Sequence, residues 1–555
     1  MYFLIIVGCL GASKSTEIQE DTSHSTANSD QPETEECPRY IAPESGASAL
    51  DAGSFSPRVI ETVNRTGRCL VVEDLDGDRQ LDILSITGID GQQLQGVLEV
   101  WWGDGSHSTE AWPELPSPDN ICTVVDIDAD GDFDLLTGTG QSVVVLRNVG
   151  DQSWQAPQTL LELSAPDQDW LDLLAVIDLD GQGGLDLLVG TGVRLAEECV
   201  AAGGDPGDGG DVTIQVEHPG GTLSCFVEEA NQWVTAGEDV CPSTMQELDS
   251  PQVLAMHAAD LNNDARPELF LAADFSPNLM LLSRQGGLDD VSAESGLCGY
   301  DHAMGTAMAD FNGDGLRDLY VTDVGPDAVY FADGCITFYD ASLSIGTAVA
   351  TDRSVSWGAV AQDFDLDGDA DIFASVSVQV SDGGFNQPLC ELGEQEYAPP
   401  GPMLHISDGV GGFEHIRLDA AAGTPSGKWY TITAASGDID RDGDIDVVTT
   451  SEQAGLHIWE NQGPYNGHWL SVRPYQDGRI VVGARIVLRQ AQGERMQDLY
   501  GTFGTGGHSE FSAHFGLGQE SQPVTVEIRW PDGEWSSFEN VQVDQHIDLH
   551  REQSQ

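Results

Sequence analysis

Residues 438–446 read DIDRDGDID, five aspartates in nine positions, and the apolar run VVTT follows at once. Like charges at this density repel one another, so a single copy would be a charge conflict at the mouth of a strand. The motif recurs. DLDGDRQLD starts at Asp74, DIDADGDFD at Asp126, DLDGQGGLD at Asp178, DLNNDARPE at Asp260, DFNGDGLRD at Asp310 and DFDLDGDAD at Asp363. The seven starts are 52, 52, 82, 50, 53 and 75 residues apart, a base period near 52 with two longer gaps. A fixed period of this length is the signature of a repeat architecture.

Each copy has one frame. A β-type apolar run leads in, oxygen-bearing side chains stand at positions 1, 3 and 5, Gly is usual at 6, an acid closes at 9, and a second β-type run follows. Alternate positions of a tight loop aim several oxygens at one centre, and six or seven hard oxygens suit Ca²⁺. The predicted ligands are Asp74, Asp76, Asp78 and Asp82 in the first loop, and Asp126, Asp128, Asp130 and Asp134 in the second. They are Asp178, Asp180 and Asp186 in the third, and Asp260, Asn262, Asp264 and Glu268 in the fourth. The fifth offers Asp310, Asn312, Asp314 and Asp318, and the sixth Asp363, Asp365, Asp367 and Asp371. The seventh offers Asp438, Asp440, Asp442 and Asp446. An EF-hand would need Glu at position 12, where these loops have Ser85, Thr137, Val189, Leu271, Val321, Ala374 and Thr449. The copies at 126, 363 and 438 are expected to bind best. Arg79 replaces the turn glycine in the first, Gln182 removes a charge in the third, and the fourth carries Ala265 and Pro267. The weakest sites are expected at Asp178 and Asp260.

Between the loops lies a second recurring element, a short strand ending in a Gly, Asp or Asn turn, as in LEVWWGDG from Leu98 and LHIWENQG from Leu456. Four short strands per repeat describe a propeller blade, and seven blades close a ring that limits exposed sheet edges. The predicted fold is all-β, a seven-bladed β-propeller over residues 37–465 followed by a small C-terminal β domain over 466–555. Equivalent loops would then form a rim on one face. The two long gaps predict insertions at about 195–250 and 376–425, which are candidate recognition loops.

The repeats resemble the FG-GAP/VCBS repeats of integrin α-subunit propellers, over residues 55–465. That resemblance implies Ca²⁺ at positions 1, 3, 5 and 9 of the loops. After Asn466 the phrases Gly483-Ala484-Arg485, HFGLG at 514–518 and RWPDG at 529–533 follow in order. They resemble an ASPIC/UnbV domain, and the combination is similar to the cartilage acidic protein/UnbV family. The resemblance implies a secreted or surface protein associated with calcium, without a settled biochemical activity. His508 and His514 flank Ser509 and Glu510, but HFGLG reads as a structural turn. Trp530 and Trp535 read as packing around the PDG turn.

Acidic residues number 93 against 22 basic ones, a net charge of −71. Nucleic acid and anionic membrane surfaces both need a basic face, which excludes them as general partners. Seven divalent ions would return only 14 of the 71 charges, so much of the acidity belongs to the surface. The first residues, MYFLIIVGC, resemble a bacterial lipoprotein signal with Cys9 acylated, and residues 10–36 are a polar Ser/Thr-rich stretch expected to be a disordered tether. Export is therefore expected, to the cell surface or outer membrane through the lipid, or else by secretion. The remaining nine cysteines include no CxxC pair, so disulfides are expected rather than zinc, with Cys199, Cys225 and Cys241 contributing a pair. Asn64-Arg65-Thr66 matches a glycosylation sequon without consequence in such a protein. No GxSxG, HExxH or phosphate loop occurs. The leading expectation is a monomeric, non-enzymatic Ca²⁺ propeller that binds a protein or glycan. The alternative is a calcium-dependent polysaccharide-active enzyme with an axial site.

Overall fold

The computed structural model describes residues 50, 54–60, 65–88, 96–117, 120–163, 170–179, 185–192, 222–229, 232–236, 240–241, 252–297, 300–351, 354–379, 401–418, 431–451, 455–463, 467–490, 493–501, 505 and 507–551. The signal with Cys9, the tether at 10–36, and Asp180 lie outside the described residues.

The described chain folds into antiparallel sheets of about four strands, joined in sequence order. The first comprises Arg65–Glu73, Asp82–Gly88, Gly96–Trp101 and His107–Glu110. Polarity rises outward along each sheet. Every residue of Asp82–Gly88 is buried, including the polar Asp82, Ser85 and Thr87. The outer strand Gln158–Glu162 of the second sheet exposes Gln158, Thr159 and Glu162 and half-buries the two leucines between them.

Among the described residues, seven such sheets precede residue 466, and each carries one aspartate loop between its first and second strands. The last is completed from the other end of the chain. Phe55–Ile60 pairs antiparallel with Gly455–Asn461 and becomes its outer strand. Phe55 anchors the closure against Phe364 and Phe373, with centroids 5.6 and 6.3 Å away. Apolar clusters fill the space between consecutive sheets, and one of them, with Leu70, Ile83, Ala435, Val448 and Ile458, joins the seventh sheet to the first. The sheets therefore form a closed ring, a β-propeller. Cys69–Cys122 ties the innermost strands of the first and second sheets.

The predicted insertion boundaries need correction. Within 195–250, the strands Thr222–Glu229 and Gln232–Thr235 are the outer half of the third sheet. Cys225 there is bonded to Cys241. Within 376–425, Met403–Ser407 and Phe413–Arg417 are the outer strands of the sixth. Any inserted chain is confined to shorter stretches between strands.

The C-terminal module has two sheets about one core. One is built around His468–Gln476, and the other orders Glu494–Leu499, Ala484–Arg489, Val524–Arg529 and Trp535–Val541. Trp530 is fully buried in that core with Ile486, Leu488, Phe515 and Val526. Trp535, read as packing, is 47% exposed. The module lies on the loop face of the propeller and reaches onto its axis. Gly507–His508 pairs in parallel with the innermost strand at Leu70 and Val71. Nearby, Thr505 touches the fifth and seventh sheets, donating to the Met304 carbonyl and accepting from Thr433 at 3.0 Å. Phe511 N–H donates to Glu73 at 2.7 Å.

Asp498 holds module and propeller together. It accepts from Arg485 at 2.6 and 2.9 Å and from Arg317 of the fifth loop at 3.1 Å. Burial opposes its ionisation, but Arg485 and Arg317 outweigh burial and hold the carboxyl well below its usual range. The unfolded chain takes up a proton near the ordinary value of about 3.9, where the folded chain does not. The contribution is thus complete above about pH 5 and is lost as pH falls toward the depressed folded value. Asp498→Asn should cost about 3–5 kcal/mol at neutral pH. In denaturant unfolding, its deficit against wild type should narrow between pH 6 and pH 3. A deficit that stays constant would place the effect outside ionisation.

Candidate metal sites

The loops take a repeated backbone course that explains their composition. Position 6 is left-handed in the six loops where it is described, with φ of +72° at Arg79, +102° at Gly131, +69° at Ala265, +83° at Gly315, +108° at Gly368 and +102° at Gly443. Position 4 is left-handed too, at Gly77, Ala129, Asn263, Gly313, Leu366 and Arg441. This double reversal turns the amides of positions 5 and 6 back onto the first aspartate. Asp126 accepts from Asp130 N and Gly131 N, each at 3.0 Å, and Asp363 from Asp367 N at 3.1 Å and Gly368 N at 2.8 Å.

The acid at position 9 closes the blade. One oxygen accepts the amide of position 2, and the other accepts the amide at the end of the third strand. Asp82 bonds Leu75 N at 2.8 Å and Gly103 N at 2.7 Å; Asp318 bonds Phe311 N at 2.9 Å and Ala332 N at 2.8 Å; Asp446 bonds Ile439 N at 3.0 Å and Asn461 N at 2.8 Å. In the third loop Asp186 bonds Leu179 N at 2.9 Å. The carbonyl of position 2 is held in turn by the next sheet, through Asn148 to Leu75 at 2.7 Å, Ser407 to Phe311 at 3.0 Å and Asn461 to Phe364 at 2.8 Å. These stitches place each loop whether or not an ion is bound.

Among the described residues, carboxylate oxygens converge within 4.8 Å in four loops: Asp74, Asp76 and Asp78; Asp126, Asp128 and Asp130; Asp363, Asp365 and Asp371; and Asp438, Asp440 and Asp446. The first two clusters use positions 1, 3 and 5, and the last two positions 1, 3 and 9. Asp134 and Asp82 are fully buried, and burial pushes each carboxyl up to about 7. Burial, then neighbouring carboxylates, push Asp363 up to about 8. For Asp446, also pushed up to about 8, burial again leads and Asp440 and Asp438 add to it. The crowded acids cannot all ionise unaided, which is the chemistry of a cation site. In the fifth loop Asn312 accepts from Asp314 N at 3.0 Å, and Asp310 is pushed up to about 6 by burial.

The other side of these loops was not read from sequence. Arginines and a histidine of the C-terminal module reach them. Arg473 lies 3.4 Å from Asp74 and 3.1 Å from Glu73, Arg479 lies 3.5 Å from Asp126, and His546 lies 2.9 Å from Asp438. Arg495 donates to the Gly368 carbonyl at 3.0 Å. Arg485 and Arg529 engage the fourth loop. The available signal was density, since 7 of the 22 basic residues fall after Asn466. His508 and His514 are structural. Both are buried, His508 meets Thr123 at 3.2 Å, and His514 meets the Gly443 carbonyl at 3.0 Å. Burial lowers the pKa of both rings, that of His508 to about 3.

A cavity of about 190 Å³ lies between the inner strands and the module, lined in part by His257, Arg317, Gln362, Asp498 and Glu510. Its main charges are engaged. Arg317 pairs with Asp498 at 3.1 Å, Glu510 accepts from Arg473 at 2.6 Å, and burial lowers His257 to about 4.

With this geometry established, sequence comparison places two known elements on the chain. An FG-GAP-like repeat model matches residues 74–137 and 260–321, and an ASPIC and UnbV model matches 475–555. The chain carries FG-GAP-like repeats followed by an ASPIC/UnbV domain. It is similar to cartilage acidic protein 1 of Xenopus tropicalis, 26% identical over 282 residues, and of Homo sapiens, 27% identical over 281. Each match covers 49% of this chain, which spans 40% and 39% of the length of these curated relatives. Among solved structures, BBS1N in complex with ARL6DN aligns with a TM-score of 0.42 and 9% identity, over 76% of this chain and 98% of that one.

Arg79 tests the backbone account of the loops. Its φ of +72° costs about 1 kcal/mol for a residue with a Cβ. Its ion pair with Asp548 is formed by a side chain 74% exposed and contributes little. Arg79→Gly should therefore leave stability unchanged or raise it by up to about 1 kcal/mol in denaturant titration. A clear loss would show that the side chain outweighs the turn.

Proposed function

We propose that this chain is an extracellular, calcium-binding interaction module, non-enzymatic in kind, whose propeller is stiffened by ions on one face and recognises a protein or glycan. The reading is carried by the convergence of Asp438 and Asp446, both buried, with the exposed Asp440. Asp438 is 1% exposed; its Oδ2 accepts from Gly443 N and meets His546, while its buried Oδ1 accepts from no protein donor. A buried carboxylate oxygen without a partner is costly, and a hard divalent cation satisfies it. Asp363, Asp365 and Asp371 offer a second buried cluster, and the first two loops offer more exposed ones.

Calcium, when bound, supplies positive charge at these centres. The chain's own residues do the rest. The left-handed turns aim the oxygens, the position 9 acids fix each loop to its blade, and the next blade holds it from behind. Three observations support an exported protein: the Cys69–Cys122 and Cys225–Cys241 disulfides and the disulfide-bonded state of Cys335, all expected in an oxidising compartment. Anchoring through a lipid on Cys9 belongs to the same reading. Among the described residues, no helix is long and apolar enough to cross a membrane. The polysaccharide-active alternative needs an axial site, and residues 507–511 pack onto that axis from the module side.

Calorimetry of calcium binding to the purified chain, followed by thermal unfolding with and without chelator, tests the reading. More than one equivalent should bind, with stabilisation of about 2.7 kcal/mol for each site held at a hundred times its Kd. Unchanged melting after exhaustive chelation would contradict it. A protein and glycan binding screen in calcium and in chelator then addresses the partner.

A further inference from the structure

The fourth loop has the ligand pattern of the others, yet its groups face protein donors. Asp260 Oδ1 accepts from Asp264 N at 3.1 Å, and its Oδ2 from Ala265 N at 3.0 Å and from the Arg529 guanidinium. The Asp260 carbonyl accepts from Arg485. Asn263, at the left-handed position 4, accepts from Arg485 at 2.8 Å and Arg529 at 2.7 Å. Asn262 turns its side-chain amide onto Glu268 at 3.1 Å, and Asp264 pairs with Arg266 at 2.5 Å. Every predicted ligand position, 1, 3, 5 and 9, is thus bonded within the protein. Burial lifts the Asp260 carboxyl above its usual range while Arg485 and Arg529 pull it down.

Two guanidiniums at this point are not incidental. Arg485 is 1% exposed and is one of the largest fully buried side chains of the protein, and Arg529 is also buried. Both sit on the adjacent strands Ala484–Arg489 and Val524–Arg529, directly opposite one another in register. They project as one pair, with Asp498 of the third neighbouring strand bridging Arg485 to Arg317. A divalent ion at Asp260 would share its carboxylate with two fixed positive charges, which the local charge does not permit without displacing them.

We propose that the Asp260 loop is a guanidinium socket and not a calcium site: Arg485 and Arg529 occupy it, and through it the C-terminal module stays locked to the propeller whether or not the other loops hold calcium. The loop keeps the fold of a metal loop and takes its cation from the same chain. The two arginines belong to the phrases Gly483-Ala484-Arg485 and RWPDG, which gives both motifs a physical role.

Two measurements on the full chain test this. Asp264→Asn changes a ligand position of this loop that bonds Arg266 and no module residue. It should leave the number of calcium equivalents bound in equilibrium dialysis unchanged, whereas Asp130→Asn, at the same position of the second loop, should weaken binding. Loss of one equivalent in Asp264→Asn overturns the proposal. In calcium-free protein, hydrogen exchange at Glu510 and Phe511 reports docking, because these amides bond Ser436 and Glu73 of the propeller. Wild type should remain protected in chelator, and the Arg485→Gln/Arg529→Gln double variant should exchange more than about tenfold faster. Equal exchange in the two proteins overturns the proposal. The exchange measurement uses no calcium, so failure of the calcium reading leaves it interpretable.

Discussion

Crowded negative charge on one rim is the constraint on which this structure depends. Seven loops bring carboxylates to the same face of a closed ring, in a chain of net charge −71. Coulomb repulsion among them rises as they are buried. Three kinds of positive partner offset it. Backbone amides turned inward by left-handed residues act in every described loop. Arginines from the C-terminal module act on several. Divalent ions are the proposed third partner where three carboxylates still converge, and the buried Asp438 Oδ1 is an oxygen that protein donors leave unmet.

The module is therefore part of the propeller's architecture and not an appendage. It lays charged side chains across the loop face, and residues 505–511 enter the axis against the innermost strands. That arrangement covers the face where the ions would sit. Calcium in this reading is a stiffener beneath an intramolecular cover, and the partner surface is sought on the opposite face and the outer strands. Module side chains meet candidate ion ligands at Asp74, Asp126 and Asp438, while the contact at Asp260 stands apart from them.

Much of this was legible in the sequence because the period was long, regular and tied to one chemistry. The Asp-rich frame with its flanking apolar runs indicated blades, their loop positions and the common rim. What escaped has physical reasons. Position 4 is left-handed in the six loops where it is described but is filled there by Gly, Ala, Asn, Leu and Arg, so composition carried no mark of it. Position 9 was read as a ligand alone, and its second role was missed: the same carboxylate accepts two backbone amides, as Asp446 does from Ile439 and Asn461. The long gaps overstated the insertions, since Met403–Ser407 and Phe413–Arg417 are ordinary blade strands displaced along the chain. The module's cations were invisible as partners because docking joins residues hundreds of positions apart, as with Arg473 and Asp74.

The central claim is that one rim is neutralised by ions at some loops and by arginine at another. Anomalous scattering from crystals of the full chain grown with a lanthanide in place of calcium measures this directly. Peaks are predicted at the loops beginning at Asp363 and Asp438, with further peaks at Asp74 and Asp126, and none at Asp260, where Arg485 and Arg529 stay in place. A peak at Asp260 with its arginines displaced, or the lack of any peak at Asp363 and Asp438, would contradict it.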